Sequence, residues 1–293
     1  MSTNESTTAD QRFDLNQLRP YLGDKIVDTM HAINAISGYE MAPGLRSPFV
    51  DFRNWLNTKP YFIEQWRLSK SDEIKKYGRF SNGVEYCERA MAECYYRLDL
   101  IRDMDTRLRK ELADRNISSQ IPLGSTMCIG NTAKIDFEYR SFVLSYRRAL
   151  DYLSYGLSTY FNESQDSFNR FAKNILKSHP TTVSAVLAPI LKRYMPHFSF
   201  VIGDQKGRST RDIIAHKAAL DAGSINIRNN GFVLFGGGEN LGINTERGDD
   251  FLNPPTLPDV LETRMVNLQG CIADLLAGIR EAITDYEKSQ GWR

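Results

Sequence analysis

The hexad Arg211-Asp212-Ile213-Ile214-Ala215-His216 sets a guanidinium and one of only four histidines within about a turn and a half of chain. A fixed cation beside an imidazole that titrates near neutrality is a minimal kit for phosphodiester chemistry. The cation neutralises charge that develops on phosphate oxygens, and the imidazole moves a proton. On a helix the two residues stand about 140° apart around the axis, so they do not share a face. They meet at one ligand only if a second surface closes over the helix. Asp212 and His216, four apart, do share a face, and a charged pair there favours the imidazolium and fixes its tautomer. Arg211 falls in the first turn, where free N–H groups and the helix dipole favour an anion. Lys206 and Arg208 make the same corner basic and are the phosphate-binding candidates. The bland reading is an ordinary helix start with a packed histidine, since Arg-x4-His is a short pattern.

The elements around the hexad are predicted to be mostly helical. Ser209-Thr210-Arg211-Asp212 offers hydroxyl caps with an acid behind them, and the helix should run to about Asp221 and stop at Gly223. Three longer segments carry apolar stripes in steps of three and four. Residues 84–112 read Val84, Cys87, Met91, Cys94, Leu98, Ile101, Leu108, Leu112, broken at Asp105. Residues 132–161 and 258–287 repeat the pattern, the last most cleanly, and each is long enough for a bundle helix. Shorter helices are predicted over 166–176 and 182–194, the second kinked or split by Pro189. Residues 197–208 read as a connector. Residues 13–77 are helical in parts but chopped by Pro43, Pro48 and Pro60. A hairpin is predicted from residues 224–228, a turn at Asn229-Asn230-Gly231, and a return through 232–235. Residues 236–255, rich in Gly, Asn and Asp, read as a long surface loop. The expected fold class is all-α, a helical bundle with a small β-hairpin after the signature helix. The expected organisation is a disordered tail over 1–12, a helical region over 13–125 and a second bundle over 126–293.

Placed near the start of a late helix in such a chain, Arg211, the polar Asp212 and His216 resemble the signature of the HEPN superfamily. The helix containing residues 142–153, Phe-Val-Leu-Ser-Tyr-Arg-Arg-Ala-Leu-Asp-Tyr-Leu, looks like that family's first core helix. The resemblance covers roughly residues 130–290. It implies a bundle that often dimerises, with the two signature helices meeting in one composite cleft. It further implies a metal-independent RNA endonuclease, often of defence or toxin–antitoxin systems, in which the 2′-hydroxyl attacks the adjacent phosphorus. Arg211 would neutralise the phosphorane, His216 would carry the proton, and Asp212 would support it. Many members are inactive nucleotide-binding or scaffolding modules, a second reading. A third is a helical interaction protein whose Arg211 and His216 are structural.

Bulk properties narrow the partners. With 37 basic and 36 acidic residues the net charge is +1, so RNA or nucleotide contact must come from a local patch. No apolar run approaches the roughly 18 residues of a membrane span, and the polar N-terminus has no apolar leader segment. Cys87, Cys94, Cys128 and Cys271 lack CxxC spacing and read as reduced thiols of a cytoplasmic protein. His31, His179 and His197 have no second ligand at metal spacing, and Glu85, Glu88 and Glu93 form no ExxH pair, so no metal and no cofactor is expected. Gly236-Gly237-Gly238 does not have dinucleotide-loop spacing, and Asp249-Asp250 reads as a solvated loop pair. Tyr95, Tyr96, Tyr152 and Tyr155 are expected in the core, where helical spacing puts them. Arg102, Arg107, Arg109 and Lys110, interleaved with acids, read as a solvated face.

Overall fold

The computed structural model describes residues 15–129, 131–177, 181–203, 225–229, 231–234 and 256–292. In chain order these form α1 (Arg19–Leu22), α2 (Asp24–Ser37), α3 (Pro43–Asn57), α4 (Tyr61–Leu68), α5 (Ile74–Asp114), β1 (Met127–Ile129), α6 (Ala133–Ser158), α7 (Phe168–Lys177), α8 (Thr182–Tyr194), α9 (Ser199–Ile202), β2 (Ile225–Arg228), β3 (Gly231–Leu234) and α10 (Leu257–Ser289). The fold is an all-α bundle with a small β element. No helix among the described residues is long and apolar enough to cross a membrane.

The three long stripes become α5, α6 and α10. In α5 the stripe continues upstream through Phe80, which is fully buried, so the helix begins ten residues before the predicted start at residue 84. Asp105 does not break it. Its side chain is nearly buried and pairs with Arg109 at 2.7 Å. The core forms where these stripes meet, with Tyr139, Phe142, Tyr146, Leu98, Leu268 and Leu275 all sealed from solvent.

Side-chain contacts fix the directions of the helices. Gly83 lies against Gly156, the Cys94 thiol donates to the Phe142 carbonyl at 3.9 Å, and Arg97 pairs with Glu138 at 2.8 Å. Rising numbers on α5 thus meet falling numbers on α6, and the two run antiparallel. Arg102 meets Glu262 and Tyr95 meets Gln269, so α5 and α10 are also antiparallel. Gly270 faces Tyr194 and Gly278 faces Leu187 and Ile190, which sets α8 antiparallel to α10. The bundle therefore has α5 and α8 pointing one way, α6 and α10 the other.

The N-terminal helices dock on this frame. Arg46 and Arg53 of α3 both reach Glu88 of α5, and the Trp55 indole donates to Thr284 Oγ1 at 3.1 Å. Glu287, wholly buried near the end of α10, accepts the Phe62 N–H at 3.3 Å. Pro60 gives α4 no side-chain cap, so a carboxylate from the far end of the chain serves its positive first turn. Glu287→Ala should cost about 1–3 kcal/mol in a urea titration, with Glu287→Gln, which keeps an acceptor, costing less. Equal midpoints for Glu287→Ala and the native chain would exclude the capping role.

Two prolines behave differently from expectation. Pro43 starts α3 and Pro60 precedes α4, but Pro48 lies inside α3 and Pro189 inside α8, and both helices run on. Pro48 withholds a donor from the Gly44 carbonyl, and the Ser47 hydroxyl supplies one at 3.1 Å. Pro189 and Ala185 sit on the exposed face of α8, so the carbonyl that loses its donor lies on the solvent side. Of the predicted connector over 197–208, residues 197–203 are described and are mostly helical. Met195–Phe198 forms a 3-10 turn that leads directly into α9.

The predicted hairpin is present, with β2 and β3 antiparallel and Arg228 opposite Gly231. The short strand β1 adds to its other side, pairing Met127 with Ile227, so the sheet has the order β1-β2-β3. Tyr96 and Tyr152 are not core residues. Both are about two-fifths exposed and pack edge-on or tilted against Tyr39 and Tyr86. Arg107, Arg109 and Lys110 of the charged face of α5 are solvated as predicted, with an Arg107–Asp103 pair one turn apart. Arg102 is instead half-buried and bridges to Glu262 of α10, and Asp105 is buried.

Burial also makes the core sensitive to alkali. It pushes the Cys87, Cys94 and Cys271 thiols and the Tyr139 and Tyr146 hydroxyls well above their ordinary values. The neutral forms belong to the folded chain, whereas unfolded thiols and phenols ionise near ~8.5 and ~10. Stability is therefore intact below about pH 8.5 and drains away above it. Denaturant midpoints taken from pH 7 to 11 should fall steadily past pH 9, and a flat profile would contradict a sealed core.

Candidate functional site

Lys206, Arg208, Arg211, Asp212 and His216 lie outside the described residues, as does the loop 236–255. The described chain supplies the frame from which residues 204–224 depart and to which they return. That frame is built largely on α6.

On the departure side, Phe198 and Val201 are buried, with Phe198 edge-on to both Tyr146 at 6.0 Å and Phe168 at 5.8 Å. Two arginines hold this turn by its backbone. Arg147 of α6 donates to the Val201 carbonyl at 3.2 Å while its other nitrogens engage Asp151 at 2.7 Å and Ser167 Oγ at 3.1 Å. Arg264 of α10 donates to the His197 carbonyl at 3.1 Å and lays its guanidinium over the Phe200 ring at 4.5 Å. Burial lowers the Arg264 pKa, a direction that the nearby Tyr146 and Tyr139 oppose. The Tyr146 hydroxyl donates to the Arg264 backbone carbonyl at 2.8 Å, closing a ring of contacts between α6, α9 and α10. The Tyr139 hydroxyl is sealed from solvent with no hydrogen-bond partner among the described residues. Gly203, with φ +75°, then turns the chain off α9 through a conformation that side chains resist.

On the return side, Ile225 and Ile227 are buried and β2 pairs with β1. Three residues after β1 ends, Thr132 stands at the N-cap of α6 with its hydroxyl 3.3 Å from the buried Asp136 carboxylate. Departure is thus held on α6 through Arg147, and return on β1, the strand that leads into α6 at Thr132. Beside the return lies a cleft of about 560 Å³ between the end of α5 and the start of α6. Its floor is Met104, Leu108, Ile135 and Ile225, and its rim carries Arg107 and Lys134.

The other sequence candidates are accounted for individually. Glu85, Glu88 and Glu93 each engage arginines, in turn Arg89, the Arg46–Arg53 pair, and Arg97 with Arg148. No group of three His, Cys, Asp or Glu able to hold a metal occurs among the described residues. His31 and His197 are exposed on separate elements, and all four cysteines are free thiols, Cys128 alone being exposed. Sequence reasoning missed the two arginines that grip the turn. Arg147 carried a signal, its i,i+4 spacing to Asp151, but Arg264 carried none, since it acts on carbonyls that no spacing reveals. No protein-family model, curated protein or solved structure matches this chain.

Proposed function

We infer that the chain is a metal-independent, HEPN-like endoribonuclease acting as a homodimer. The observation that carries this reading is the Arg211-x4-His216 signature. It is borne by the stretch between α9 and β2 in an all-α bundle whose preceding long helix has the family's pattern. In the proposed step the RNA 2′-oxygen forms a bond to the adjacent phosphorus while the bond to the 5′-oxygen breaks. The products are a cyclic phosphate and a 5′-hydroxyl. His216 moves the proton between the reacting oxygens, and Arg211 neutralises the pentacovalent phosphorane. Asp212 orients the imidazole, and Lys206 and Arg208 bind flanking phosphates. The second copy supplies the face that a single helix cannot, since residues five apart on any helix stand about 140° apart around its axis. Residues 126–293 form the catalytic unit in this reading, and we assign the protein to the cytoplasm, where its free cysteines stay reduced.

The test is incubation of the purified chain with a panel of single-stranded RNAs in EDTA, scored for new 5′-hydroxyl ends. Cleavage should rise more steeply than linearly with protein concentration, as dimer dependence requires. An intact panel at micromolar protein would remove the enzyme reading. A nucleotide that then raises the melting temperature would favour the inactive module of the same fold.

A further inference from the structure

A second cleft lies between α4, the first turns of α5, the start of α8 and the end of α10. Its volume is about 730 Å³, within the range of small-molecule sites. Three features define what it can hold. The walls are aromatic: Tyr61, Phe62, Trp66, Tyr160 and Tyr286 come from α4, the turn after α6, and α10. These rings are fixed before any ligand arrives. Trp292 stacks on Tyr61 at 5.0 Å and meets Phe62 and Tyr286 edge-on at 5.0 and 5.9 Å, while Trp66 meets Tyr160 at 6.3 Å. Ordered aromatic faces favour a planar ring, at little entropic cost.

The second feature is charge. Among the described residues the lining holds one cation and one anion, Lys76 and Glu73, which pair with each other at 3.2 Å. The two charges offset each other along that edge, and the Glu287 carboxylate behind Tyr160 and Phe62 disfavours an added anion. The third is hydrogen bonding. Lys76 Nζ also donates to Asn162 Oδ1 at 3.0 Å, so donors and acceptors alternate along one edge of the cleft. Tyr160 adds a neutral hydroxyl, its pKa pushed up to about 12 by burial and by the Glu287 carboxylate. A flat, uncharged heterocycle with a mixed donor and acceptor edge satisfies all three features.

We propose that the cleft walled by Tyr61, Trp66 and Tyr160 and edged by Glu73, Lys76 and Asn162 binds a nucleobase presented as an uncharged nucleoside. The ring stacks on the aromatic walls, and its polar edge exchanges with the Glu73–Lys76–Asn162 contacts. Those contacts are exposed and weak in water, so exchanging them costs little. The assignment stands apart from the ribonuclease reading, because it uses none of residues 204–224.

Titration of the full chain with adenosine, guanosine, cytidine and uridine tests it, read by tryptophan fluorescence because Trp66 lines the cleft and Trp292 braces its wall. At least one nucleoside should quench saturably below about 10 mM, and its monophosphate should bind no tighter. Tyr61→Ala and Lys76→Met should each weaken binding about tenfold or more, with the melting temperature unchanged in Lys76→Met. Three results would overturn the site: no saturable signal with any of the four, affinity unchanged in both variants, or a monophosphate binding tenfold tighter than its nucleoside. Should Tyr61→Ala unfold, Lys76→Met alone decides, since its side chain reaches the rim without entering the core.

Discussion

His216→Ala is expected to lower RNA cleavage in EDTA by about 10²–10⁴-fold, the usual worth of a positioned proton carrier. Arg211→Ala should fall by a similar factor, because a fixed cation on the phosphorane acts only as charge develops. The two losses should not multiply in the double variant, since neither group works without the other. Arg211→Lys should rescue poorly, as an ammonium lacks the planar fork that grips two phosphate oxygens. Asp212→Asn is expected to shift the pH profile of cleavage toward acid, because removing a neighbouring carboxylate disfavours the imidazolium. Every one of these effects must occur with the melting temperature intact. If His216→Ala instead loses several kcal/mol of stability and wild-type protein leaves RNA whole, the histidine is a packing residue.

The largest expected effect on stability is at the crossing of α5 and α6. A Cβ built on Gly83 would meet the Gly156 Cα and N at 2.6 Å and the Tyr152 carbonyl oxygen at 2.9 Å. These are backbone atoms and cannot rotate away, so the helices must part. Gly83→Ala should therefore cost about 3 kcal/mol, at the upper end of overpacking. The internal control is Gly78, five residues earlier on the same helix, where a Cβ meets nothing within 4 Å. There alanine should stabilise by about 0.5–1 kcal/mol through helix propensity alone. Gly156→Ala, whose nearest contact is the Phe80 carbonyl at 3.2 Å, should fall between them. Denaturant midpoints of the three variants give the order directly, and stabilisation by Gly83→Ala would mean that the crossing is looser than described.

That crossing also explains what was legible from sequence. The stripes of α6 and α10 run for more than six turns, and a period that long leaves little room for error. The start of α5 was hidden because Gly78 and Gly83 lower the local helix signal, although Phe80 continues the buried stripe. Gly83 is there for the neighbour it admits, a reason that lies on α6 some seventy residues away. Pro48 and Pro189 misled for a related cause: their cost depends on the surroundings of one carbonyl, met by the Ser47 hydroxyl in one case and lying on an exposed helix face in the other. Strand β1 has three residues, too few for alternation to register. The Arg211–His216 signature is wholly a matter of sequence. The aromatic cleft was illegible, because Tyr61, Lys76, Tyr160, Thr182 and Tyr286 come from five elements that only the folded bundle brings together.

The carboxylate that caps α4 has a consequence for how the chain is made. Trp55 bonds Thr284 across 229 residues, Phe62 bonds Glu287 across 225, and Tyr61 stacks on Trp292. During synthesis α3 and α4 leave the ribosome early, yet their partners Thr284 and Glu287 are translated more than 200 residues later. The helices can form locally at once, but the apolar faces of Phe52, Trp55 and Trp66 have no complete seat until the end of α10 has emerged. The first helices of the bundle thus wait on the last turns of α10 before their packing is complete.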